Sequence, residues 1–193
     1  HGKKGGTYRK CFDRIYVFNP SRTVDFPIPE DWVYNGLDYG ELQSILDDEG
    51  NTGLDVLLVF DDVVSDMKTC SKELRKVFRN RRHVFADGEG GGSLSVITNT
   101  QKYNALPLEL RNEVTSVFAF RMPPRESQTF YLEVMDEFLL TPDAWRSFQA
   151  IVFDEPFVFL YIDKDRKRLY RNFQRLLLEV RSDTAQGRVQ MRF

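Results

Sequence analysis

Val56-Leu57-Leu58-Val59-Phe60 is an unbroken apolar run that stops abruptly at Asp61-Asp62. The residues do not alternate with polar ones, so the run predicts a strand covered on both faces rather than on one. Strands of that kind belong to parallel sheets flanked by helices, and their carboxyl ends, here marked by two acids, are where α/β proteins place ligands.

The segments around it predict further pieces of the same architecture. Arg14-Ile15-Tyr16-Val17-Phe18 reads as a strand closed by the turn signal Asn19-Pro20-Ser21. Tyr39 to Asp48 carries Leu42, Ile45 and Leu46 at helical spacing, and Ser71 to His83 is an amphipathic basic helix with Leu74, Val77 and Phe78 on one face. Asp87 to Gly92 reads as a flexible glycine-rich loop, Leu94 to Ile97 as a third buried strand and Leu106 to Asn112 as a short helix with Pro107 in its first turn. Val117 to Phe120 is a fourth strand of the same sheet. Ser127 to Leu139 and Thr141 to Phe153 are helices covering one of its faces, the second opening on Thr141-Pro142-Asp143. Phe157 to Ile162 and Leu176 to Val180 add edge strands. The expectation is a single α/β domain over 1–193, with a core at 12–122 and C-terminal helices and edge strands at 123–193.

Composition narrows the function classes. Hydrophobic residues make up 41% of the 193, and 16 Phe with 8 Tyr can fill a core, which argues against disorder. A net charge of -2 gives no overall footprint for nucleic acid, so a DNA contact would come from a local patch or from repetition around a ring. Two cysteines, Cys11 and Cys70, make no disulfide framework and suit a reducing, cytoplasmic setting. No apolar run reaches membrane-spanning length, so no membrane partner is expected. The chain opens His1-Gly2-Lys3-Lys4 without an initiator Met, from which the expectation is that a preceding segment has been cut away.

Hydrophobic residues followed by Asp61-Asp62 have the form of a Walker B motif. There the first carboxylate helps hold Mg²⁺ and the second orients and deprotonates a water; the plainer alternative is a solvated strand end. Thr98-Asn99-Thr100-Gln101 ends the next buried strand. Gln101 suits a sensor that touches a γ-phosphate or the attacking water because it donates and accepts without adding charge; otherwise it starts a polar loop. Arg79, Arg81, Arg82 and His83 follow the basic helix. They could present an arginine to a neighbouring subunit's phosphates, touch DNA, or form a solvated helix end. Arg111-Asn112 is a phosphate contact or a cap. No zinc-ligand spacing occurs, and no Gly-x-x-x-x-Gly-Lys-Ser/Thr occurs either; Gly2-Lys3-Lys4-Gly5-Gly6-Thr7 is a poor substitute.

Five runs in order, Arg14 to Ser21, Leu57 to Asp66, Val77 to His83, Ser95 to Tyr103 and Leu106 to Asn112, resemble the genome-packaging ATPases of nucleocytoplasmic large DNA viruses, of the FtsK/HerA superfamily of P-loop motors. The resemblance implies a RecA-like P-loop core that uses ATP and Mg²⁺ and assembles into a homo-oligomeric ring. It further implies translocation of double-stranded DNA into a capsid, contacts with capsid proteins, and residence in the virion or a cytoplasmic virus factory. By the same resemblance Asp61 is the Mg²⁺-linked acid, Asp62 the acid that activates water and Gln101 the sensor. Arg82 with His83 matches the family's Arg-His pair, where an arginine acting in trans is expected and Arg79 and Arg81 compete. Arg111 matches an arginine of the helix after the sensor, a contact to the nucleotide. Two features depart from the family. The phosphate-binding loop that precedes the strand at Arg14 is absent, so the chain reads as N-terminally truncated and impaired in binding ATP. Ala86 to Gly92 reads as an insertion. The competing readings are an inactive ATPase-like remnant serving as a binding or assembly module, and a nucleic-acid module using Lys164 to Arg171, disfavoured because the chain is slightly acidic overall and no aromatic stacking motif interleaves that basic run.

Overall fold

A computed structural model describes residues 11–21, 27–138, 140–183 and 188–192. The chain divides into two compact units, residues 1–113 and 114–193, where the sequence reads as one domain. The segment His1 to Thr7 lies outside the described residues.

In the first unit four strands form a wholly parallel sheet in the order β2-β1-β3-β4, with β1 at Arg14–Phe18, β2 at Val33–Tyr34, β3 at Asp55–Asp61 and β4 at Ser93–Asn99. Between them run α1 at Tyr39–Leu46, α2 at Ser71–Asn80 and, after β4, α3 at Leu108–Asn112. The parallel α/β character read from the apolar runs is present. Tyr16, Phe18, Val56, Leu58, Phe60 and Leu94 project from one face of the sheet into a core completed by Leu42, Ile45 and Leu46 of α1, Leu74, Val77 and Phe78 of α2 and Leu110 of α3. Each fully buried Val, Leu or Phe there contributes about 1.5–3 kcal/mol. On the opposite face Val17 and Leu57 are buried, whereas Ile97 is exposed. Asp38 caps α1 by accepting from the Gly40 and Glu41 amides. Asn51, wholly buried, donates to the Ile45 carbonyl and accepts from Arg14 and Tyr16, tying the end of α1 to the start of β1.

Several boundaries differ from the sequence reading. The basic helix stops at Asn80, and Arg81 to His83 form a turn. Pro107 is the N-cap of α3 rather than a first-turn residue, because the preceding Tyr103–Ala105 makes a separate 3₁₀ turn. Asp87 to Gly92 is an ordered turn. The Asp87 carboxylate accepts from the Glu89 and Gly91 amides, and the Asp87 amide donates to the Gly91 carbonyl.

The second unit corrects the reading of the C-terminal part. The strand expected at Val117 to Phe120 is β5 at Ser116–Ala119, and it does not join the parallel sheet. It opens a five-stranded antiparallel meander, β5-β6-β7-β8-β9, with β6 at Leu160–Asp163, β7 at Arg168–Arg171, β8 at Arg175–Asp183 and β9 at Arg188–Arg192. The segments expected as edge strands, Phe157 to Ile162 and Leu176 to Val180, therefore lie inside this sheet. The basic run Lys164 to Arg168 is the β6–β7 hairpin turn and the first residue of β7. Short connections link β6 to β9 in antiparallel succession, and β5 adds to the free edge of β6 across the intervening helical segments. Leu160, Ile162, Leu169 and Leu178 are buried on one face of this sheet, and Phe130, Val134, Met135, Trp145 and Val152 of the helical segments are buried as well. The helix expected at Ser127 to Leu139 is α4 at Pro124–Phe130, continuing through a π turn at Tyr131–Met135 and a 3₁₀ turn at Asp136–Phe138. The next helix, α5 at Pro142–Val152, begins as expected, with the Thr141 hydroxyl accepting from the Ala144 amide. Among the described residues no helix is long and apolar enough to cross a membrane.

Candidate functional site

Parallel pairing in register brings three strand ends to one line. Phe18, Phe60 and Thr98 are successive partners across β1, β3 and β4, so Asn19, Asp61 and Asn99 form the next row at the sheet's carboxyl edge. The Asp61 carboxylate is gripped from both sides: Asn19 Nδ2 donates to Oδ2 at 2.5 Å and Asn99 Nδ2 donates to Oδ1 at 2.8 Å. Asn19 is itself buried and fixed, since its Oδ1 accepts from the Ser21 amide and hydroxyl at 2.8 Å each.

Asp62 is placed by backbone geometry. Its φ is 56°, in the left-handed region that Asp tolerates better than most residues. Its amide donates to the Asn99 carbonyl at 3.1 Å, extending the β3–β4 ladder by one step before the chain leaves the sheet. The side chain is exposed, and its Oδ2 accepts from Gln101 Nε2 at 2.9 Å. Asp61, Asp62 and Gln101 are thus brought together. Sequence reading missed Asn19, which it treated only as a turn former, and it weighed Asn99 only within the polar set of the sensor strand; an Asn at the carboxyl end of each of the two strands flanking β3 was the signal.

Both acids are contacted by neutral amides, and among the described residues neither forms an ion pair. Two adjacent carboxylates left uncompensated suit a hard cation, because each oxygen keeps a lone pair after accepting one hydrogen bond. Among the described residues no cluster of three or more His, Cys, Asp or Glu side chains could hold a metal unaided. The arrangement therefore fits a Mg²⁺ that takes one or two carboxylate oxygens and draws its other ligands from water and phosphate. Beside the acids, on the core face of β4, the Thr98 hydroxyl is buried and makes no hydrogen bond among the described residues.

The basic residues lie elsewhere. The Leu94 amide donates to the Arg81 carbonyl, which sets the turn at Arg81 to His83 beside the start of β4, whereas Asn99 and Gln101 are at its end. At about 3.3 Å per residue the two ends of that strand are roughly 15–20 Å apart. Arg79 pairs with Glu113 at 3.6 Å, and Arg81 donates to the Phe78 and Glu113 carbonyls at 3.4 Å each. Arg82 and His83 are exposed, and Arg82 forms no ion pair among the described residues. Arg111 lies over the Tyr103 ring, 5.0 Å from its centroid, and donates to Asn104 Oδ1 at 3.5 Å, which joins it to the segment after Gln101.

The ordered turn makes its own prediction. Backbone hydrogen bonds from Glu89 and then Gly91 hold the Asp87 carboxyl below the ordinary carboxylate range. A depressed folded-state value stabilises above the unfolded value of about 3.9 and is lost as pH falls through the lower, folded one. The Tm advantage of the wild type over Asp87→Asn is therefore expected at neutral pH and to shrink progressively below about pH 4; a gap that stays constant down to pH 2 would contradict it.

Comparison with known protein families, with characterised proteins and with solved structures gives no match, so a functional reading has to come from these residues and their placement.

Proposed function

We propose that this chain is part of an ATP-hydrolysing DNA translocase acting as a ring of copies, and, following the resemblance of its motifs, one that packages viral double-stranded DNA into capsids. The observation that carries the reading is the pairing of Asp62 with Gln101 at the carboxyl edge of a parallel sheet, beside Asp61. Asp62 is the acceptor for a proton from the attacking water. Gln101 Nε2 fixes that carboxylate, which leaves the Gln101 carbonyl oxygen to receive a hydrogen bond from the same water. Asp61, held by Asn19 and Asn99, presents an oriented carboxylate to Mg²⁺. Bound Mg²⁺ supplies neutralisation of phosphate charge. The phosphates also need a cradle of backbone amides and a lysine.

The test is Mg²⁺-dependent ATP turnover by the full-length gene product, stimulated by duplex DNA. Turnover that tracks DNA supports the reading. Intact folding without ATP binding would favour the inactive assembly module instead.

Arg82 belongs to the same proposal through its distance. Lying near the amino edge of β4, it serves a neighbouring copy's nucleotide rather than its own. Arg82→Ala is expected to lower turnover about 10²-fold in the assembled ring. Mixing Arg82→Ala with Asp62→Asn copies should restore part of the activity, because some interfaces then combine an intact arginine with an intact acid. Absence of any recovery would remove the trans role.

A further inference from the structure

The antiparallel sheet of the second unit buries one face and shows the other, and the exposed face is aromatic. Phe118, Tyr161 and Tyr170 occupy one register row on β5, β6 and β7. Their rings stack in sequence, with centroids 5.0 Å apart from Phe118 to Tyr161 and 5.6 Å from Tyr161 to Tyr170. Phe120, Phe159 and Phe173 extend the cluster from the neighbouring loops, Phe173 lying edge-on to Phe118 at 5.6 Å and to Phe159 at 5.1 Å. Aromatic residues facing solvent are an anomaly that asks for a partner: Phe118 is 49%, Phe120 57% and Phe173 61% exposed.

The charge on this part of the chain narrows the partner. Residues 157–193 carry nine Lys and Arg against four Asp and Glu, whereas the whole chain has a net charge of -2. Two of those acids share the aromatic face but are already compensated: Glu179 accepts from Arg168 at 2.7 Å and Asp163 from the Arg166 backbone amide at 2.9 Å. Arg166 and Lys167, in the β6–β7 turn, are exposed. A purely apolar protein partner does not need that excess of positive charge. A polyanion with flat apolar groups at regular intervals uses both the rings and the cations.

We propose that this face is a stacking platform for single-stranded DNA, with Phe118 and Phe173 receiving bases and Arg166 and Lys167 of the β6–β7 turn receiving phosphates. Bases within a duplex are stacked on one another and cannot reach flat rings on a sheet, so the platform takes unpaired strands. The choice of DNA over RNA rests on the function proposed above; the platform itself requires no nucleotide hydrolysis. Within the basic run from Lys164 only Tyr170 contributes a ring; the others come from separate segments and meet it only across the sheet, so no linear stacking motif marks the platform.

The experiment is fluorescence anisotropy of a labelled 16-mer of dT with the 193-residue chain at about 50 mM salt, without ATP, so that the result is independent of turnover. Binding is expected to be saturable, to weaken steeply as salt is raised, and to exceed binding of the same length of duplex and of rU. Phe173→Ala is expected to weaken it about tenfold or more, with Phe173→Trp retaining affinity, and Arg166→Gln with Lys167→Gln is expected to flatten the salt dependence. An unchanged thermal transition in Phe173→Ala certifies that the fold is intact. The proposal is overturned by no binding at low salt, by affinity indifferent to Phe173→Ala, by tighter binding of rU, or by Phe173→Ala instead abolishing self-association, which would make the face a contact between copies.

Discussion

Asp62→Asn is expected to reduce ATP hydrolysis by the full-length protein about 10³-fold or more while leaving nucleotide affinity and thermal stability near wild type. The loss follows from chemistry, since an amide has no basic lone pair to take a proton from water and a positioned base is worth up to about 10⁴ in rate. The preserved stability follows from geometry. Asn is as much at ease as Asp at a φ of 56°, the backbone bond to the Asn99 carbonyl does not involve the side chain, and the new amide oxygen can still accept from Gln101 Nε2. The exposed position predicts a stability change within about 0.5 kcal/mol. Steady-state hydrolysis, nucleotide binding and a melting curve on the same preparation check it. Near-normal hydrolysis would remove Asp62 from the role of base, and a collapse in Tm would mean that the residue is structural.

How legible this site was in the sequence depended on how local its determinants are. The run from Val56 to Phe60 predicted a buried parallel strand because continuous apolarity needs no knowledge of neighbours, and it placed Asp61 and Asp62 at the strand's carboxyl end. Gln101 was legible for the same reason, being the polar end of a second such run. Asn19 was not, because its role as a donor to Asp61 exists only once β1 and β3 pair in register. The left-handed backbone at Asp62 is likewise a consequence of where the chain must leave the sheet, and Asp is compatible with either conformation.

The second unit was misread because short runs such as Val117 to Phe120 carry strand propensity without saying which sheet they join. What decides is the set of turns that follow. The Lys164 to Lys167 segment, with Lys167 at a φ of 51° and the Lys167 amide donating to the Lys164 carbonyl, closes a tight hairpin that commits β6 and β7 to each other. The aromatic face that results is a cross-strand property with no linear motif. Charge showed a related limit: the overall value of -2 conceals an acidic first unit and a basic C-terminal sheet segment.

The glycine-rich segment, which reads as a flexible insertion, is expected to be among the least tolerant positions of the first unit. Gly92 has a φ of 79°, and a Cβ there would lie 2.1 Å from the Phe85 carbonyl oxygen and 2.9 Å from the Gly53 backbone. That same carbonyl accepts from the Gly53 amide at 2.8 Å, and the next residue, Ser93, donates to the Leu54 carbonyl, so the contact sits where β3 and β4 both begin. Gly92→Ala therefore adds the cost of a left-handed alanine, about 1–2 kcal/mol, to the loss or distortion of a backbone hydrogen bond, about 1 kcal/mol, and to displacement of the buried Phe85. A total of about 2–4 kcal/mol corresponds to a fall in Tm of about 10 °C or more for a unit of this size. Gly88→Ala is the matched comparison, because Gly88 has a φ of 83° but nothing within 4 Å of its added Cβ. It bears only the conformational cost and should lower Tm by a few degrees. Equal, small shifts in the two variants would show that the segment behaves as a loose loop and that β3 and β4, with the acids at their far ends, do not depend on it.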